Sequence, residues 1–558
     1  MALSGPNFTS AFGRHWHGIG VRVDAIVGAV SRPLEPTMER WRASTGLRRR
    51  APLVVVAVVV AVYTLLFAVL QWKRHEYFGT FDYDLGMYDN GIWQTAHGRN
   101  FMTTRGMNLF GHHANLGFLL FVPFYWIGVG GPHFLNVMNL LGIVATSVPI
   151  FLLARTHLRS NWAGAWLVVV YLAHFSPQWM IQETFHAESL ALPFVVGAFY
   201  AASVRRWRWY WVCIFGAVIW KEDIALATAM IGLAVGLMLR ERRVALATIG
   251  VSMLWFVLAT RLIMPAFDQH SVFDGLFGPL GNNSTEVVVG AVTDPGPFAD
   301  TVLCHGFWDG SLHEADPGRT DIVCPSGQIL EEVYPPPRGF ATLMQPFGYV
   351  GLLSPILLLV GLPQHLVNSA TMQPFTWDLR WHYALMPFAG VLLATVWSVV
   401  KRKRAIVAWA LISMLVVGVV TTHDRGIGPW GADFSRGYWR VVDDPTNQVY
   451  REVMSEIDGD DVVSTNYFFV PHLSHREYIY TFPNPWRLSN YGAAGSTVEP
   501  PDPATVDVVL IDRARLNATD QMLFDEVRNS GDFEVVTHRV ATPPDRVADL
   551  YLLRRRAP

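Results

Sequence analysis

The chain has 558 residues, of which 51% are apolar and only 16% charged. A soluble domain carries about 25% charge, so the deficit points to lipid as part of the solvent. The 43 basic and 45 acidic residues leave a net charge of −2, which gives no global basic field for nucleic acid.

The apolar residues come in blocks separated by Arg/Lys clusters, and blocks of about 18 or more residues are candidate membrane spans. The first 47 residues are polar, contain arginine and lack a cleavable signal pattern, so the first apolar run, 53–70, is expected to be an uncleaved span. Short cytoplasmic loops concentrate basic residues, and five clusters qualify: 48–50, 155–159, 205–208, 240–243 and 401–404. An even number of spans must then separate each cluster from the next. Of the three apolar runs between the first two clusters, 115–129 is the shortest and contains Pro123 and Gly128. It is expected to lie embedded at the interface, within an external loop from about 71 to 132.

Further spans are expected at 133–154, 162–175, 190–204, 210–220, 224–239 and 244–264. The polar segment 266–338 is then external. Residues 339–367 must supply two crossings, broken near Gly351 to Pro355, before 382–400 and 405–420. The fold class expected is a membrane α-helical bundle of about eleven transmembrane helices. Its amino-terminal tail (1–47) is cytoplasmic, its transmembrane domain spans 48–422, and an external domain covers 423–558. In that last domain, short β-rich runs at 462–465, 478–481, 506–511, 533–537 and 550–553 alternate with helical patterns at 447–457 and 518–527. This alternation predicts a small α/β domain.

The three cysteines form no CxxC metal pattern. Cys213 lies in an apolar run. Cys304 and Cys324 share the polar loop, where a single bridge and two free thiols both remain open.

Ionisable residues near bilayer depth are rare and usually functional, and four clusters stand out. Asp82, Asp84 and Asp89 lie among aromatics just after the first span; the plainer alternative is a solvated loop with an N-cap. His112 and His113 stand at the mouth of the embedded run, where histidine can also be an interfacial anchor. Glu183, His186 and Glu188 precede an apolar helix at a spacing that suits a divalent ion or proton transfer, or a hydrated capping turn. Lys221, Glu222 and Asp223 fill a tight hairpin, where Lys221 can meet a phosphate or merely pair with its neighbour. Two further external stretches are Trp377 to Tyr383, which includes Arg380 and His382, and Pro471 to Arg476.

Taken in order, Asp84-Leu85-Gly86 with Asp89, His113, Phe185-His186-Ala187-Glu188, Lys221-Glu222-Asp223 and Pro471-His472-Leu473-Ser474-His475-Arg476 resemble a bacterial polytopic membrane family known as domain of unknown function 2079. Ala187 departs from a proline usual in that pattern, and Asp82 is an extra acid. The family in turn resembles the GT-C class of membrane glycosyltransferases, which implies embedded helices in the first external loop and an external α/β tail.

The resemblance also implies sugar transfer from a polyprenyl-phosphate donor to a lipid or glycan acceptor at the outer face of a bacterial plasma membrane. Asp84, Asp89 and Glu188 are then the catalytic candidates. Lys221, Arg380 and His113 are candidates for the donor phosphate. Asp84, His186 and Glu188 could hold a divalent cation, Mg or Mn, although a phosphomonoester leaving group does not require one. Membrane lipids are expected partners and nucleic acid is not. Two rivals remain: a proton-coupled transporter, and a non-catalytic scaffold that binds lipid. Fold-level likeness alone does not decide between them.

Overall fold

A computed structural model describes residues 45–267, 275–306, 311–316, 319–323, 329–330, 339–400, 404–439, 441–492, 499, 501–542 and 547–556. Residues 1–44 of the expected amino-terminal tail, Cys324 and basic residues 401–403 lie outside them.

Helix α1 (Thr45–Glu76) is rich in valine, a residue of modest helix propensity in water. In lipid the helix closes every backbone hydrogen bond within the segment, and that requirement overrides propensity. One face points outward, as at Leu65, while Phe67 and Leu70 on another are buried. A short helix, α2 (Met87–Ala96), follows the first turn after α1. The embedded run forms a 3-10 turn at Leu116–Leu120 and a helix at Val122–Trp126, with Leu119, Leu120, Trp126 and Ile127 exposed.

The bundle continues through α3 (Pro132–Ala145), α4 (Ser147–Leu158), α5 (Asn161–Ala173) and α6 (Phe175–Glu183). After it come α7 (Glu188–Ser203), α8 (Trp207–Val218), α9 (Ile224–Met238) and α10 (Arg242–Leu258). Then follow α11 (Leu362–Ala370), α12 (Leu385–Val400) and α13 (Arg404–Arg425). Helix α12 is the axis of the bundle: every one of its residues is buried.

Among the described residues, four segments are long and apolar enough to cross a membrane: Arg50–Glu76, Pro132–Leu158, Arg242–Phe267 and Pro374–Val400. The expected number of about eleven is therefore not reproduced by length. Helices α5, α7 and α9 are apolar but shorter. Helix α6 was not expected; it inserts a buried turn-and-helix between α5 and α7.

The stretch expected to cross twice, 339–367, is instead a chain of short turns: Phe340–Met344, Gln345–Phe347, Val350–Leu353 and Pro355–Leu358. The chain breaks where Gly348 and Tyr349 take left-handed backbone, and close packing on α12 follows at Gly361. A Cβ at Gly361 would lie 2.5 Å from Pro387 Cα, and one at Gly390 would lie 2.5 Å from Gly361 N. The backbones touch there, which only glycine allows.

The polar loop contains an antiparallel sheet of β1 (Ser311–Asp316), β2 (Arg319–Val323) and β3 (Ile329–Leu330). Cys304 is disulfide-bonded and Cys213 is free.

The tail forms a five-stranded sheet of β4 (Val463–Thr465), β5 (Ile479–Thr481), β6 (Val508–Asp512), β7 (Phe533–Ala541) and β8 (Ala548–Arg555), in the order β5-β4-β6-β8-β7. β4 runs parallel to β5 and β6, while β8 is antiparallel to β6 and β7. Helices α14 (Pro445–Met454) and α15 (Ala518–Asn529) complete the domain. The alternation read from the sequence is present strand for strand.

Candidate functional site

Asp82 to Gly86 form one wide turn between α1 and α2. Within it Asp84 has φ 59° and ψ −74°, a strained γ-turn geometry for a residue with a Cβ, costing about 1–3 kcal/mol. The turn aims the Asp84 carboxylate at the loop between α6 and α7, where Oδ1 lies 3.9 Å from His186 Nδ1. That loop is strained too. Thr184 has φ 115° and ψ −161°, a region otherwise left to glycine. Asp82 faces elsewhere, its Oδ2 accepting from Thr481 Oγ1 at 2.8 Å. Placement thus separates the two neighbouring acids that sequence could not rank.

Asp84, Glu183, His186 and His382 bring one ligand atom each to within 4.8 Å of one another. The His382 amide donates to Glu183 Oε2 at 2.6 Å, and its Nδ1 lies 2.9 Å from Glu183 Oε1. The His186 and His382 rings stack at 3.6 Å. His186 Nε2 lies 3.1 Å from Glu183 Oε1, yet at an angle that leaves this buried nitrogen without a hydrogen bond. Burial opposes charge on His186, but the Glu183 and Asp84 carboxylates prevail and raise its pKa to about 9. For Glu183, burial works against ionisation, and His186 and His382 outweigh it, lowering the pKa to about 2.

Two carboxylates and two imidazoles, with one buried nitrogen unsatisfied, fit a divalent cation. The mixed N/O set suits Mn or Zn better than Mg, which prefers oxygen ligands. Glu188, expected in this set, stands outside it. Glu183 and His382 take its place, and the signal for Glu183 was present as an i,i+3 spacing to His186.

Glu188 pairs with Lys221, Nζ to Oε1 at 2.5 Å, and Lys221 also lies 3.5 Å from Asp223. His113 Nδ1 lies 2.7 Å from Glu222 Oε1, while the Ala114 amide donates to Glu222 Oε2 at 3.1 Å. Three acids therefore surround Lys221. Burial lifts Asp223 to a pKa of about 6 against the pull of Lys221, with Glu222 and Glu188 adding to the lift. Lys221 and His113, expected at a phosphate, are both engaged by carboxylates. The Tyr383 ring, 5.9 Å from Lys221 Nζ, follows His382 in the chain and joins the two charged sets.

Asp89 is fully buried and has other work. It accepts from Tyr125 Oη at 2.6 Å and Ser474 Oγ at 2.5 Å, and lies 3.1 Å from His475 Nε2. It ties α2 to the tail. Arg380 forks onto Asp378, with Nε and Nη2 both within 3.0 Å of the carboxylate. It lines a cavity of about 280 Å³ that also reaches Glu183.

The family described as predicted membrane protein (DUF2079) matches residues 74–299 and 335–540. No curated protein matches the chain. The chain is similar to the crystal structure of ArnT from Cupriavidus metallidurans bound to undecaprenyl phosphate, at 11% identity over 90% of this chain and 98% of that one, with a TM-score of 0.45. For ArnT from the same organism in the apo state the values are 12%, 90%, 97% and 0.47. For the oligosaccharyltransferase of Archaeoglobus fulgidus in complex with Zn and sulfate they are 13%, 88%, 72% and 0.36.

Proposed function

The chain belongs to the predicted membrane protein family DUF2079, and from that premise we propose that it is a membrane glycosyltransferase of GT-C type. It takes a sugar from a polyprenyl-phosphate donor and passes it to a lipid or glycan acceptor at the outer face of a bacterial plasma membrane, with its amino terminus cytoplasmic and its tail external. One observation carries the reading. Within the four-residue set, Asp84 alone is partly open: its side chain is 21% exposed, whereas those of His186, Glu183 and His382 are 3%, 5% and 8% exposed. A strained turn thus presents one carboxylate to a space where a hydroxyl can arrive.

Asp84 acts as general base. It takes the acceptor hydroxyl's proton as that oxygen bonds to the anomeric carbon, and the bond from that carbon to the phosphate oxygen breaks. The electron pair leaves with polyprenyl phosphate, and the proton rests on Asp84 until solvent removes it. Such help is worth about 10²–10⁴-fold. Asp84, Glu183, His186 and His382 would hold a divalent cation, which would supply positive charge to offset that growing on a departing phosphate. Arg380 adds a planar guanidinium on the same side as Glu183. Lys221 pairs with Glu188 and faces the Tyr383 ring.

The acid-rich Lys221 set favours one rival, a proton-coupled transporter, because Glu188 and Asp223 both face a buried lysine there and burial raises the pKa of the Asp223 carboxyl to about 6. Mass spectrometry of envelope glycolipids from cells expressing the wild type or Asp84→Asn separates the two. Sugar transfer predicts that one glycosylated species disappears in the variant, and an unchanged glycolipid profile contradicts it.

A further inference from the structure

The cavity of about 280 Å³ beside Glu183 is small for a drug-sized site, which starts near about 300 Å³, and suits a single ring. Its walls include Trp179, Trp381 and Tyr438. Two of these rings are fixed by a bond of their own. Trp179 Nε1 donates to Arg425 O at 2.8 Å, and Trp381 Nε1 to Asp378 Oδ2 at 3.2 Å. The Tyr438 amide donates to Gln182 Oε1 at 3.2 Å, which also holds Gln182 at the rim. Aromatic faces locked in this way form a prepaid surface for the apolar face of a sugar ring.

The charge in the cavity is uneven. Arg380 is matched by Asp378 at 2.7 Å, and Glu183 is matched by His382 at 2.9 Å and His186 at 3.1 Å. Arg74 has no such match: among the described residues no carboxylate lies in ion-pair contact with it. Its Nε donates to Gly79 O at 2.9 Å, and its guanidinium carbon stands 5.4 Å from the Phe81 ring and 5.7 Å from the Tyr438 ring. The fork is therefore held in place at the wall of the cavity. Glu183 attracts Arg74 only from a distance, and a buried, oriented guanidinium with no carboxylate in contact favours an anion that meets it.

We infer that this cavity is a recognition pocket for a negatively charged glycosyl group, its ring against Trp179, Trp381 and Tyr438 and its phosphate or carboxylate on Arg74 and Arg380. The inference rests on the glycosyltransferase reading and names a substrate class for it: a glycosyl phosphate, or a sugar bearing its own acid.

The test is calorimetric titration of the full detergent-solubilised chain with glucose 1-phosphate, glucuronate, glucose and inorganic phosphate. At least one charged sugar should bind about tenfold or more tightly than glucose, and Arg74→Gln should weaken it about tenfold. Arg380→Lys keeps a cation beside Asp378 but gives up the planar fork, and should weaken binding several-fold. This second variant keeps the test open if Arg74→Gln does not fold. Polyprenyl phosphate is the distinguishing competitor. Displacement of glucose 1-phosphate assigns the anion to the lipid phosphate, while glucuronate binding that the lipid leaves untouched assigns it to the sugar. Glucose binding as tightly as the charged sugars, inorganic phosphate binding as tightly as glucose 1-phosphate, or wild-type affinity in Arg380→Lys would each overturn the pocket. None of these readouts requires turnover, so sugar transfer measured separately shows whether only this inference has failed.

Discussion

Replacing Asp89 with alanine should loosen the junction between α2 and the tail while leaving the four-residue set assembled. The carboxylate has no solvent exposure and serves three partners, Tyr125, Ser474 and His475. Removing one member of a buried charged network costs about 3–5 kcal/mol, because two hydroxyls and an imidazole lose their acceptor at once. Asparagine keeps one acceptor oxygen, and the Ser474 hydroxyl can turn to accept from the new amide, so Asp89→Asn should cost only about 2 kcal/mol. Neighbouring bonds share the load: Asn90 Nδ2 donates to Ser474 O at 2.9 Å and Gln94 Nε2 to Glu477 O at 2.6 Å.

Hydrogen exchange at residues 474–479 reads the junction directly. The alanine variant should open it about a hundredfold or more often, with divalent-cation binding retained. Unchanged exchange would refute the tie, and loss of cation binding would return Asp89 to the reactive set. The junction also depends on pH. Burial opposes charge on His475, and Asp89 overcomes it and raises the pKa. A raised folded pKa stabilises fully below the ordinary histidine value of about 6.5, and the contribution fades as pH rises through the raised value. Exchange in the wild type should therefore quicken on the alkaline side.

Other outcomes follow from the same geometry. With His186 titrating at about 9, a divalent ion must displace its proton, so apparent affinity should rise about tenfold per pH unit from 6 to about 9. Calorimetry that gives a flat profile excludes His186 as a ligand. Gly361→Ala places a Cβ 2.5 Å from Pro387 Cα, and a fall in thermal stability is expected in detergent; an unchanged transition contradicts the close crossing. Of the three cysteines, one should react with a thiol reagent in denaturant without reductant and all after reduction. Three reactive thiols before reduction would contradict the bridged Cys304.

Much of the tail was legible because its strands are short β-branched runs between turn residues, a local signal that the sheet then satisfies. Asp84, His186 and Lys221 were legible as charges too near lipid to be incidental. Their partners were not. His382 joins Glu183 across 199 positions of sequence, and no local pattern encodes that pairing. Arg74 belongs to none of the motifs singled out in the sequence, and its surroundings depend on Tyr438 and Phe81 folding over it. The stretch 339–367 resembles two spans in apolar content, whereas left-handed backbone at Gly348 and Tyr349 interrupts it.

In the proposed reaction Asp84 removes the acceptor hydroxyl's proton during sugar transfer. Purified protein in lipid nanodiscs, supplied with a panel of polyprenyl-phosphate-linked sugars and a crude envelope lipid acceptor, reports it through polyprenyl phosphate released. Release by the wild type that falls about a hundredfold or more in Asp84→Asn, with cation binding and folding measured in parallel, is the expected result. Equal release from both proteins would contradict the account.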